Sequence, residues 1–177
     1  MGHVMRQLVL ADSLRERGVE VKFLTEYGTA SWNRIKRSGY FVYPFDEPFG
    51  LDETDASILD IEHGPTLETL RTYRARSRKL IVFGGVGYRL NGSADEYAAL
   101  CDLVVYQGEL FDFPPSDKSL NGPDYLIVNP KFSSCQPDPD GPIVVSMGGA
   151  DPHDLTELIH DVLTPQGKNK IGRPVIY

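Results

Sequence analysis

A parallel, doubly wound α/β sheet is the architecture that this 177-residue sequence predicts. Three observations carry the prediction. Helical patterns alternate with short β-branched runs over the first two-thirds of the chain. The runs SILDI, KLIVF and DLVVY are apolar almost throughout, as strands covered on both faces must be. The opening stretch, GHVMRQLVLADSLRERGVEVKFLT, reads as helix, tight turn, strand, which is the second half of a β-α-β crossover.

The elements follow in order. Val4, Leu8, Ala11 and Leu14 recur at the spacing of one buried helical stripe, with Arg6, Asp12, Arg15, Glu16 and Arg17 on much of the remaining surface. Gly18 supplies the left-handed position that ends a helix without a Cβ clash, and VEVKFLT follows as a strand. TASWNRIKRSG is a short helix closed by Gly39, and YFVYPF is a strand limited by Pro44. After the acidic, turn-rich EPFGLDETDA comes the strand ASILDI, ending at Asp60. PTLETLRTYRARSR is a helix whose first turn Pro65 suits, with apolar spacing from Leu67, Leu70 and Tyr73. KLIVFGG is a buried strand, ADEYAALC a short helix, and DLVVYQ a further strand.

Composition changes near residue 114, where prolines and glycines crowd in and are interrupted only by YLIV. Beyond SSCQPDPDG a new unit begins with PIVVSMGGADPHDLTELIHDVL, a strand, a Gly-Gly loop and a helix, and RPVIY reads as one more strand. The expected organisation is therefore an N-terminal domain over 1–132 that lacks its first strand, a linker over 133–141, and the truncated start of a second domain over 142–177.

Bulk properties narrow the function. Hydrophobic residues make up 41% of the chain, enough for a packed core. The net charge of −7 argues against nonspecific nucleic-acid binding, which needs basic surface to displace counterions. No stretch approaches the roughly 18 apolar residues of a membrane span, and the amphipathic start does not read as a signal peptide, so a cytoplasmic protein is expected. Cys101 and Cys135 form no framework and read as buried thiols.

Two stretches could carry chemistry. In VSMGGADPHDLT, Gly148 and Gly149 between a strand and a helix allow a ligand close to the backbone, with Asp151 as N-cap and Pro152 in the first turn. Gly2-His3-Val4 opens the first helix, which puts an imidazole at the carboxyl edge of the sheet, where open α/β proteins place ligands. A histidine there suits general-base work. Asp60, at the end of a parallel strand, is a candidate ligand contact on the same edge. His63 reads as a loop residue, while His153 and His160 read as a solvated face of the late helix.

These residues resemble a known family. GHVMRQLVLADSLRERGVEVKFLT is similar to the opening of the UDP-sugar hydrolases of pseudaminic acid biosynthesis and of the related spore-coat polysaccharide biosynthesis proteins. NGPDYLIVNPKF resembles the segment that closes their N-terminal domain, and IVVSMGGADPHDLT the glycine loop that begins their C-terminal one. The resemblance implies a GT-B fold, two Rossmann-like domains with a nucleotide-sugar between them. It is similar in layout to the peptidoglycan N-acetylglucosaminyl transferase. In that family a strand and a glycine turn precede GHVMR, and the uridine pocket lies in the C-terminal domain. The 177 residues alone are accordingly expected to turn over little substrate.

By position, His3 matches the family histidine proposed to activate water, Gly2 the turn glycine, and Arg6 the arginine one helical turn on. Gly148, Gly149 and Asp151 match the loop near the diphosphate. The chain departs from the family where an Asp-Asp pair is usual, carrying Gly84 and Gly85, and where Asn-Gln is usual, carrying Tyr106 and Gln107. Asn129 stands where an arginine usually precedes the proline. Tyr106 thus joins Gly2, Arg6, Asp60, Gly148, Gly149 and Asp151 as expected substrate contacts of an altered sugar pocket.

The expected activity is cleavage of the anomeric C–O bond of a UDP-sugar by water, with His3 as base and UDP as leaving group. No metal or cofactor is called for, because backbone N–H groups and a helix N-terminus can carry the diphosphate charge. Transfer of the sugar to a hydroxyl acceptor is the alternative, and a non-catalytic nucleotide-sugar-binding protein is a second one.

Overall fold

The structure, a computed structural model, describes residues 2–45, 54–61, 64–84, 93–106, 117–134, 136 and 153–163. By compactness the chain divides into two units, Met1–Pro130 and Lys131–Tyr177.

In the first unit, α1 (Gly2–Glu16) leads to β1 (Lys22–Thr25), and α2 (Ala30–Arg37) to β2 (Phe41–Pro44). Then come β3 (Thr54–Leu59), α3 (Leu67–Arg74), β4 (Ser77–Gly84), α4 (Ala94–Leu100), β5 (Leu103–Tyr106) and β6 (Ser119–Asn121). All pairings are parallel. β1 pairs with β2, and a separate four-stranded sheet has the order β3-β4-β5-β6. Helices alternate with parallel strands, so the unit is Rossmann-like.

Local chemistry accounts for the boundaries. Gly18 and Gly39 end α1 and α2 with φ of 79° and 78°, a region closed to most residues with a Cβ. The Thr29, Thr66 and Ser93 hydroxyls accept N–H bonds from Trp32, Thr69 and Glu96, capping α2, α3 and α4. Thr66, not Pro65, immediately precedes α3, and the Pro65 carbonyl instead accepts a hydrogen bond from the buried Tyr97 hydroxyl. At Ser93 the Glu96 carboxylate also accepts from the Ser93 N–H at 2.9 Å, completing a capping box. Ser93→Ala is expected to cost about 1 kcal/mol in urea unfolding; an unchanged midpoint would mean that α4 does not depend on its cap.

The main core lies between the four-stranded sheet and the pair α3 and α4. Leu59, Leu80, Val82, Val104 and Tyr106 face Leu70, Tyr73, Tyr97 and Cys101. By strand alternation Phe83 and Val105 point to the opposite face and are buried there as well. Burial on both faces is what the apolar runs predict. Burial and the neighbouring Asp102 carboxylate push the Cys101 thiol up to about 11, so it is an inert core group, as expected. Cys135 lies outside the described residues. A smaller core joins Leu8 and Ala11 of α1 to Ile35 and Tyr40, with Val21, Phe23 and Val42 packed against it. The stripe read from α1 is therefore real, although Val4 and Leu14 are only half-buried.

Asp102 ties three elements together. Its carboxylate accepts from Lys79 Nζ at 2.9 Å, from the Leu80 N–H at 2.9 Å and from Arg74 Nη1. Those donors hold its pKa at about 2. The proline-rich stretch holds one strand that the sequence pattern does not show. Ser119–Asn121 forms β6, a strand too short and polar to show in the pattern. YLIV, the one apolar run, forms no strand, and Leu126 and Val128 are 50% and 58% exposed.

In the second unit the described secondary structure is a 3-10 turn ending at Phe132 and α5 (Leu155–Leu163). His153 precedes α5 instead of lying on it, and is exposed. Gly148, Gly149, Asp151 and Pro152 lie outside the described residues, as do His63, Gly85 and Gln107. Among the described residues no helix is long and apolar enough to cross a membrane.

Candidate functional site

The site forms where the amino end of α1 meets the carboxyl end of β3. His3, Arg6 and Gln7 stand at i, i+3 and i+4, so one face of α1 presents all three. Asp60 is one residue past β3, and alternation turns it away from Leu59 and the α3/α4 core. All three α1 side chains converge on it. His3 Nδ1 lies 2.7 Å from Asp60 Oδ1, and Gln7 Nε2 donates to Oδ2 at 2.9 Å. Arg6 forks across the carboxylate, donating from Nε to Oδ2 at 2.7 Å and from Nη2 to Oδ1.

The distances assign the histidine tautomer. Two acceptor lone pairs at 2.7 Å would repel, so Nδ1 carries the proton and donates it to Asp60. Arg6 Nη2, 3.0 Å from the same Nδ1, is then a close neighbour whose proton goes to Oδ1. In this tautomer the imidazole lone pair is on Nε2.

Exposure differs across the cluster. The Asp60 side chain is 5% exposed and that of Arg6 19%, whereas that of His3 is 32% exposed. Burial by itself would raise the Asp60 pKa. The hydrogen bonds from Arg6, His3 and Gln7, with the Arg6 charge, outweigh burial and hold it below the ordinary carboxylate value. A carboxylate lowered in this way adds stability that is complete above the unfolded value of 3.8 and is lost as pH falls through the native value. Urea unfolding from about pH 6 to about pH 2 should therefore show a shallower acid limb in Asp60→Asn than in the parent. Equal limbs would mean that the network is not formed in solution.

The other expected contacts are placed differently. Gly2 is the exposed first residue of α1, with no atom within 4 Å of where its Cβ would stand. Tyr106, at the carboxyl end of β5, is 3% exposed and belongs to the core. It pairs in register with Gly84, and a Cβ at Gly84 would stand 2.6 Å from Tyr106 Cδ1. Gly84 and Tyr106 are thus one packed pair: the Tyr106 ring occupies the space that only glycine at 84 leaves. Gly84→Ala is expected to cost about 1–3 kcal/mol through overpacking, and much less in a Tyr106→Ala background. Additive costs in a double-mutant cycle would refute the pairing.

Gln7 escaped the sequence analysis, although its spacing from His3 was a usable signal. Asn121, at the carboxyl end of β6 beside Tyr106, was missed as well, and its buried Oδ1 has no hydrogen-bond partner among the described residues. Among the described residues no group of three or more His, Cys, Asp or Glu could hold a metal ion.

The fold and this cluster define a Rossmann-like α/β protein with an aspartate-oriented histidine at the carboxyl edge of its parallel strands. No protein-family model matches the chain, and neither a curated protein nor a solved structure is significantly similar to it.

Proposed function

We propose that the protein hydrolyses the anomeric C–O bond of a UDP-sugar and releases UDP. The observation that carries this reading is the hydrogen bond between His3 and the buried Asp60, made at the edge where open α/β sheets bind ligands. Asp60 holds the imidazole in the tautomer whose Nε2 can take a proton from water. The water oxygen then bonds to the anomeric carbon as the bond to the diphosphate oxygen breaks. The proton rests on His3, where Asp60 stabilises the imidazolium, and UDP departs with the bonding electron pair. Gly148, Gly149 and Asp151 would hold the diphosphate, in line with the resemblance of their loop. Arg6 and Asp60, each engaged with the other, support the base in this proposal and do not contact the sugar. The net charge of −7 leaves room for a small anionic substrate, because a local site can be positive within an acidic protein, and the proposal places the reaction in the cytoplasm.

The test is release of UDP from a panel of UDP-sugars by the full-length gene product, followed by chromatography. Free sugar formed in step with UDP supports hydrolysis. Release that requires an added hydroxyl acceptor would favour sugar transfer. Tight UDP binding without release would favour a non-catalytic binding protein. Gly149→Val is expected to weaken UDP-sugar affinity by at least about tenfold, since a branched side chain blocks close backbone approach to a diphosphate. Unchanged affinity would remove the glycine loop from the site.

A further inference from the structure

We infer that the loop after β1 is a sugar-binding subsite, with the ring of Tyr27 as its stacking platform. The inference rests on the UDP-sugar reading above and assigns the part of that substrate which meets the two-stranded sheet. Tyr27 is 73% exposed, more than any other large hydrophobic residue among those described. Its ring is nevertheless held in place. It meets Trp32 edge to face, with centroids 4.9 Å apart and planes at 64°. One hydroxyl closes the loop: Thr29 Oγ1 donates to the Glu26 carbonyl at 2.9 Å and accepts from the Trp32 N–H at 3.2 Å. Gly28, with φ of 77°, makes the turn. A second ring stands at the end of the neighbouring strand. The Phe45 N–H donates to the Thr25 carbonyl at 3.0 Å, and Phe45 is 53% exposed.

Chain direction puts these rings at the edge that carries His3. Residues 17–21 turn α1 back into β1, so the amino end of α1 and the carboxyl end of β1 share one edge. Val4, next to His3, packs on the small core with Phe23 of β1 and Ile35 of α2. β2 runs parallel to β1, which brings Phe45 to the same edge. The chemistry of the loop selects the ligand. An aromatic face is negative and attracts the weakly positive C–H groups of a pyranose ring. Glu26, beside Tyr27, is exposed. Its carboxylate can accept from sugar hydroxyls but repels phosphate. A neutral, hydroxyl-rich group therefore fits this loop, and a diphosphate does not. The sugar is also the group that carries the anomeric carbon, where His3 acts in the proposed reaction.

The experiment measures binding to the full-length gene product by calorimetry, with UDP, UDP-glucose and UDP-N-acetylglucosamine, and measures UDP release separately. Tyr27→Ala is expected to weaken the tighter UDP-sugar by about three- to tenfold, the scale of one ring contact, and to leave UDP affinity unchanged. Tyr27→Phe should keep both affinities, because the ring and not the hydroxyl makes the stack. In a parent that turns over, KM should rise by the same factor with kcat held, since the stack is made in the bound and transition states alike. Equal losses for UDP and the UDP-sugar in Tyr27→Ala would put uracil on the ring and overturn the inference. An unchanged UDP-sugar affinity in Tyr27→Ala would overturn it too, as would a loss in Tyr27→Phe equal to that in Tyr27→Ala. Selective loss of UDP-sugar affinity in a protein that releases no UDP would overturn hydrolysis and leave the sugar subsite standing. A parent that binds neither UDP-sugar would remove both.

Discussion

His3→Asn in the full-length gene product is expected to lower kcat for UDP release by about 10²–10⁴-fold, the usual cost of removing a general base. Donor affinity should change little. In the proposed reaction the base acts on the attacking water in the transition state, whereas the donor would be held mainly by its phosphates and uridine. Asparagine is an informative replacement because its amide can still donate to Asp60 but cannot accept the proton from water. A KM that rises while kcat holds would turn His3 into a binding residue. Retention of both values in an active parent would remove it from the mechanism.

Asp60→Ala is expected to destabilise the first unit by about 1–3 kcal/mol, because the donors of Arg6, His3 and Gln7 lose the buried carboxylate that accepts from them. Arg6, with a side chain 19% exposed, would lose both carboxylate contacts, and His3 and Gln7 one each. The same change should also lower kcat, since the imidazole loses the acceptor that sets its tautomer. Asp60→Asn separates the two effects. It keeps the shape and one carbonyl acceptor, so it should recover part of the stability while remaining slow in turnover. A urea midpoint for Asp60→Ala equal to that of the parent would mean that the four-residue network carries no stability.

Much of the fold was legible from local pattern. The glycine stops at Gly18 and Gly39 and the apolar strands β3, β4 and β5 stand where the residues place them. The misses have physical reasons. β6 is three residues of mixed polarity, held because β5 offers it an edge, and nothing in SLN announces that offer. At the site, His3 was a candidate base and Arg6 and Asp60 were candidate substrate contacts, each taken separately. Their convergence on one another was not visible, and Gln7 was not considered.

The sequence by itself determined what short-range forces decide. Helix periodicity, hydroxyl caps, left-handed glycines and apolar runs act within a few residues, and they set the α/β alternation and the parallel sheet. Only the tertiary structure decided which groups meet. Asp60 takes its partners from 53 to 57 residues away, and Tyr106 fills the space above Gly84 on the neighbouring strand. Such contacts depend on how α1 is set against β3 and how β4 lies beside β5. A buried carboxylate draws any donor the packing brings within reach, and an unbranched glycine yields its space to whichever ring lies next to it.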